Sequence, residues 1–401
     1  MTARIDRSLL VIVAGVCGAI HVGKLPPALP ALREALDISL VQAGFLISMV
    51  QLAGMSLGLA VGLAADGLGL RRVMVAGLAL VSLTSVAGGF TQDAGVLLAL
   101  RGVEGFGFLL TITPGPSLIR RIVPVDQLDA RMGTWASYMP VATALALLVG
   151  PPWIAVWGWP AWWWLTGALS TALAIALWCL LPADPPVASR APSVWQTRLG
   201  ETLRAPGPWL VAAAFAVYSA QWLSVMGFLP SMYAQAGLAP GSIGLASAVA
   251  AGINMVGTIG AGRLLQRGAS PQRLLQTGYA VMALASVGMY APIWPAGELT
   301  VAGPFVAVLI FSSVGGLIPG TLFGQAVRVA PSAGTVSTTV GWMQQWSCLG
   351  QFIGPPVVAW VATRTGGWSL SWVVMGVCGA TGLLLARALG RLHTQRLESA
   401  T

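Results

Sequence analysis

The sequence predicts an all-α polytopic membrane protein of twelve transmembrane helices in two six-helix halves. Three observations lead there. The 401 residues are 56% hydrophobic and only 8% charged, with a mean hydropathy of +0.80; a soluble domain needs far more charge to cover its surface. Apolar runs of roughly 18 to 25 residues recur along the whole length, each long enough to cross a bilayer as a helix. Short stretches of the first half return in the second at matching positions.

The elements follow in order. The first span, 8–32, starts behind the charged head "MTARIDR" and passes through Lys24 and a proline-rich exit. It has no A-x-A-like cleavage site, so it reads as a span and not as a signal peptide. Spans two to four are 40–63, 73–91 and 95–119; the fourth carries Arg101 and Glu104. Span five, 133–157, ends in "GPPWIAVWG", and span six, 161–181, follows the tryptophan-rich "WPAWWW", a composition typical of a membrane interface. Residues 182–208 are polar and proline-rich and read as a linker. They divide the chain into halves 1–181 and 209–401. The second half repeats the plan with spans 209–233, 241–262, 274–294, 301–324, 335–360 and 368–389. The stretches "PPALP", "TPGPS" and both "GPP" are expected to break helices.

Charge placement orients the chain. With the N-terminus inside, seventeen of the 21 cations fall on inner segments, Arg33 and Arg364 fall outside, and Lys24 and Arg101 lie within spans. That asymmetry follows the positive-inside rule and puts both termini in the cytoplasm. The pI near 10.3 does not indicate a nucleic-acid partner, because the cations do not cluster on a soluble face. Cys17, Cys179, Cys348 and Cys378 all sit in apolar stretches and read as small core residues. No HExxH, nucleophile elbow or phosphate loop occurs, so no enzyme, metal or cofactor is expected.

The halves repeat in two places. "GPPWIAVWGWPAWWW" from Gly150 pairs with "GPPVVAWVATRTGGWSLSW" from Gly354. "GLAADGLGLRR" from Gly62 pairs with "GRLLQRGASPQR" from Gly262. Two parallel six-helix halves joined by a cytoplasmic loop is a layout of secondary transporters. The loop Gly62–Arg72 resembles the signature loop of the major facilitator superfamily: Gly62, Asp66, Gly69, Arg71 and Arg72 match, with Gly67 where the family has arginine. "RGVEGFG" (101–107) resembles the family's fourth-span motif. Within the superfamily, "LPPALPALREALDISLVQAGFLIS", "RGVEGFGFLL" and "WASYMPVATALALLVGPP" resemble the cyanate-permease branch, whose members handle small anions or export drug-like compounds. The fifth-span motif of proton antiporters is degenerate here, with Ala146 where a glycine is expected. The resemblance implies a major facilitator fold, alternating access, a gating role for Gly62, Asp66, Gly69, Arg71 and Arg72, and spans one, four, seven and ten around a central cavity. On the residues alone, Asp66 is positioned to clasp arginines or a helix N-terminus, while Arg71 and Arg72 also read as topology anchors.

The intramembrane charges are the chemistry. Lys24 is the single lysine of the chain. His21 and Lys24 are three apart on one helical face, as are Arg101 and Glu104. A charge at the bilayer centre costs at least ~2.5–3.5 kcal/mol, so such residues usually face a cavity or a partner. Lys24 and Arg101 lie at similar depth, and the resemblance implies that they face each other across the cavity, where their fields would attract a small anion. The alternatives are that Lys24 snorkels to the outer interface and that Arg101–Glu104 is a structural pair. Glu104 and His21 are candidates for carrying a coupled proton. Tyr138, Gln221, Trp222, Trp342 and Gln345 are further substrate-binding candidates. The expected function is a secondary transporter of a small anionic solute, with an exporter of amphipathic or aromatic compounds as the alternative. The expected setting is a bacterial inner membrane, with the lipid bilayer and the solute as the partners of a monomer.

Overall fold

The computed structural model describes residues 6–37, 40–184, 193–294 and 299–398. The chain runs through α1 (Arg7–Gly23), α2 (Leu25–Leu36), α3 (Leu40–Leu68), α4 (Leu70–Phe90), α5 (Ala94–Ile112), α6 (Gly115–Ile122), α7 (Leu128–Ala136) and α8 (Tyr138–Leu180). A short α9 (Ser193–Arg204) leads to α10 (Pro206–Gln235), α11 (Pro240–Gly252), α12 (Asn254–Gln266), α13 (Pro271–Tyr290), α14 (Leu299–Gly315), α15 (Leu317–Val329), α16 (Val336–Thr365) and α17 (Ser371–Glu398). No strand occurs among the described residues. Eight segments among them are long and apolar enough to cross a membrane, by length and composition.

Helix interruptions fall at some of the expected places and not at others. Lys24 divides α1 from α2, because Pro26 and Pro27 withdraw two backbone donors just beyond it. "TPGPS" separates α5 from α6 at Thr113–Pro114. Both "GPP" stretches instead run through α8 and α16 as helix, correcting the expectation of breaks there. Their glycines serve close approach: a Cβ on Gly150 would meet the Pro27 ring at 2.9 Å, and one on Gly354 would meet the Ala220 carbonyl oxygen at 2.7 Å. The turn between the fifth and sixth predicted spans is made by Gly158, at φ 77°, ψ 166°, a backbone geometry open to glycine.

Packing follows the small residues. α1 lies against α8 and α5, and α4 against α5 and α8. In the later part of the chain, α10 packs on α16 and α17, and α13 on α14 and α17. The larger contacts that join these groups are α3 with α16, α7 with α12 and α15, and α8 with α11. Along the first, Gly54 and Gly58 of α3 admit Cys348 and Gln345 of α16. Fully buried rings such as Trp135 and Tyr279 fill the interior, while Leu83, Val156, Leu284 and Val377 cover the outside with apolar surface. Cys17 and Cys348 are buried as expected; Cys179 is exposed.

Candidate functional site

Three places carry polar chemistry, and the first is a buried ion cluster between α1, α4, α5 and α8. Lys24 Nζ lies 2.5 Å from Glu104 Oε1, and His21 Nδ1 reaches the same oxygen at 2.5 Å. Arg101 Nη1 takes the other carboxylate oxygen at 2.5 Å and donates to the His21 carbonyl at 2.6 Å. The four side chains are at most 2% exposed. Ser85 Oγ accepts from Lys24 at 2.8 Å, Ser170 Oγ sits 2.7 Å from His21 Nε2, and the Trp163 ring lies 4.6 Å from the ammonium. The His21 ring thus bridges Glu104 through Nδ1 and Ser170 through Nε2, and Ser170 Oγ donates to the Thr166 carbonyl at 3.1 Å. Arg101 Nη2 has no partner in this shell. With Glu104 ionised and His21 neutral, two cations meet one anion.

This geometry revises the sequence expectation. Lys24 and Arg101 do come together, but around Glu104 and not across an open cavity. The reason is electrostatic: two cations away from water are stable only beside a counter-charge, and Glu104, one turn from Arg101, is within reach of both. Lys24 does not snorkel. Its side chain turns inward, and its carbonyl accepts from Trp162 Nε1 at 3.0 Å. Ser85 and Ser170 went unread in the sequence because a serine in a span carries no charge to betray it.

The second place is a cavity between the two groups of helices, about 420 Å³ including its mouth. Tyr138, Phe215, Tyr218, Trp222 and Phe323 form its aromatic wall, and Asn254, Ser219, Ser347 and Gln351 its polar one. Tyr138 accepts from Gln344 Nε2 at 3.1 Å, and Tyr218 donates to Asn254 Oδ1 at 3.3 Å. Asn254 in turn donates to the Ser312 carbonyl at 2.7 Å, which fixes its amide. A polar chain runs from Gln51 through Gln351 and Ser347 to Ser219. Of the predicted residues, Tyr138 and Trp222 reach this cavity. The others do not. Gln221 lines a separate groove. Trp342 stacks edge-on with Trp209 at 4.7 Å. Gln345 accepts the Leu59 N–H at 2.9 Å in the α3–α16 contact. A helical residue's face is set by about 100° per position, and a span boundary uncertain by two residues turns a side chain to the wrong side.

The third place is the loop before α4. Gly69 takes φ 102° and caps α4 without a side chain. Asp184, just past α8, supplies the cap: its carboxylate accepts the N–H groups of Arg71 and Arg72 at 3.1 Å each, and Arg121 Nη1 at 3.2 Å. A Cβ on Gly69 would collide with that carboxylate. The Arg71 guanidinium donates to the Leu181 carbonyl at 2.7 Å and lies over the Trp178 ring. At the start of α4 a clasp is made by Asp184 of the predicted linker. The side chains of Gly62 and Asp66 lie outside the described residues.

The comparisons with known proteins come to the same architecture. The family model described as Major Facilitator Superfamily matches residues 10–355. The chain belongs to this superfamily. It is 28% identical over 392 residues to human monocarboxylate transporter 11, covering 91% of this chain and 78% of that protein. In fold it is similar to the superfamily transporter FucP in its outward conformation, with a TM-score of 0.74 at 13% identity over 96% of this chain and 99% of that one. A variant of the E. coli fucose:proton symporter FucP gives 0.73 at 15% identity, covering 96% and 99%. As a member of this superfamily, the protein is a membrane-embedded secondary transporter.

Proposed function

We propose that this transporter crosses a bacterial inner membrane twelve times, as halves 1–181 and 209–401 joined by 182–208, with both termini cytoplasmic. It moves a small organic solute with an aromatic or apolar body by alternating access through the cavity walled by Tyr138, Tyr218, Trp222 and Asn254. One observation carries this reading: the cavity offers rings, hydroxyls and amides, while both intramembrane cations are already bonded to Glu104. Rings and neutral amides orient a solute without requiring it to bring a counter-charge. Proton coupling is assigned to Glu104 and His21, the acid and the base of the buried cluster. The protein acts as a monomer.

A second reading is supported by the convergence of Lys24 and Arg101 on one carboxyl group, the unpartnered Arg101 Nη2 and the likeness to a monocarboxylate transporter. In it the solute is a small anion, as the cyanate-permease-like stretches suggest, and Lys24 is its seat.

A thermal-shift screen of the purified protein separates the two. The panel holds neutral aromatics, cationic drugs, small carboxylates and cyanate-like anions, tested on wild type, Trp222→Ala and Lys24→Met. Lys24→Met keeps Glu104 paired with Arg101, so it is expected to fold. A ligand that binds the folded state raises the melting temperature. Aromatic compounds are expected to stabilise wild type and Lys24→Met but not Trp222→Ala. An anion that stabilises wild type and not Lys24→Met overturns the first reading and establishes the second.

A further inference from the structure

The polar wall of the central cavity is made by Asn254, Ser219, Ser347 and Gln351, and these side chains are not equally available. Asn254 is fully buried and is bonded at both ends of its amide, to the Tyr218 hydroxyl and to the Ser312 carbonyl. Ser219 and Ser347 are 4% and 3% exposed and bond each other at 2.7 Å. The hydroxyl-bearing rings Tyr138 and Tyr218 are buried as well. Gln351, near the middle of the 30-residue α16, is half-buried. It is the most open polar side chain of this wall.

Its neighbours fix the Gln351 amide. Gln51 of α3 donates Nε2 to Gln351 Oε1 at 3.1 Å, a bond across the α3–α16 contact. Gln351 Nε2 donates to Ser347 Oγ, one turn back on α16, at 3.1 Å. A primary amide has two N–H donors and two acceptor lone pairs. One of each is spent on these bonds, so one N–H and one lone pair of Gln351 have no partner among the described residues. A buried polar group left unmet is costly, so a solute that supplies both complements is favoured over one that supplies a single partner. A carboxamide carries its acceptor and its donor on separate atoms of one plane, as Gln351 itself does, so each bond can run straight. A ketone or ester brings the acceptor alone. The rings of Phe215, Trp222 and Phe323 supply the surface for the rest of the molecule.

We infer that Gln351 determines specificity, and that the solute is an aromatic or apolar molecule bearing a carboxamide, whose oxygen accepts from Gln351 Nε2 and whose N–H donates to Gln351 Oε1. This rests on the reading that the cavity holds the solute, and it names the class of that solute.

The test is a thermal-shift titration of the purified protein with two probes of one shape, benzamide and acetophenone. Acetophenone keeps the ring and the acceptor and has a methyl group where benzamide has its nitrogen. Both are expected to raise the melting temperature of the wild type, with the half-maximal shift at about tenfold lower free concentration for benzamide, as one lost hydrogen bond implies. In Gln351→Met the two half-maximal concentrations are expected to coincide. That variant strands Gln51 Nε2; if it does not fold, the double variant Gln51→Leu with Gln351→Met removes the stranded donor and carries the same expectation. Equal half-maximal concentrations in the wild type, or a tenfold difference that persists without Gln351, overturns the proposal, and the cavity reading still stands if Trp222→Ala abolishes both shifts. A wild type that neither probe stabilises overturns the cavity reading and the proposal with it.

Discussion

Glu104 is the residue on which the buried charges depend. It is the common partner of Lys24, Arg101 and His21, so removing its charge strands two cations out of water. Glu104→Gln is expected to cost about 3–5 kcal/mol of stability, read as a loss of melting temperature and of folded yield. The double variant Glu104→Gln with Lys24→Met should recover much of that loss, because one of the stranded cations is then gone; no recovery would mean the two residues do not act as a pair. The sequence made the unusual charges visible and their spacing made Arg101–Glu104 a candidate pair. It did not show that Lys24 spends its charge on the same carboxylate. That depends on how α1 and α5 are rotated against each other, which single-helix periodicity leaves open. The cavity was legible in part, through Tyr138 and Trp222; but nothing in "YSAQW" distinguishes Trp222, which reaches the cavity, from Gln221 beside it, which faces the other side of the same helix.

At the scale of the element, the helix ends explain more than the helix interiors. Asp184 caps α4 from a segment that looks like featureless linker, and only the tertiary structure brings it to the Arg71 and Arg72 amides. Asp184→Ala is expected to destabilise the fold by about 1–2 kcal/mol, the loss of an N-cap together with an ion pair. Gly69→Ala should be at least as damaging, since φ 102° and the nearby carboxylate both reject a side chain; equal melting temperatures for these variants and wild type would refute the capping role. Asp6 does the same work for α1, accepting from Ser8 and pairing with Arg131 at 2.6 Å. The Ser8 hydrogen bonds hold its carboxyl below the usual carboxylate value. Its contribution is therefore present above the unfolded value near pH ~4 and fades as the pH falls through the lower folded one. Asp6→Asn should lose stability at neutral pH and show a smaller further loss on acidification than wild type.

For the whole molecule, the all-helical membrane fold was legible because long apolar runs recur along the chain. The breaks were less so: proline marks a helix interruption only where neighbours do not hold the backbone in place, and the "GPP" stretches are held. The seam between the helix groups closes at one end through Asp129–Arg328 and through Ser117 and Ser337, whose hydroxyls are 2.5 Å apart. Replacing that serine pair by cysteines should yield a disulfide under mild oxidation that halts transport of whichever solute the screen returns, with recovery on reduction. Undiminished transport in the oxidised form would show that the seam need not open there. The sealed cluster also has a chemical corollary. A chain with one lysine, and that lysine wholly covered, presents no side-chain amine to an amine-reactive reagent. Acylation at Lys24 then reports on opening of the bundle itself: a succinimidyl ester that modifies it only in the presence of solute, or only at one pH, would time the exposure of the buried ions against a background free of other lysines.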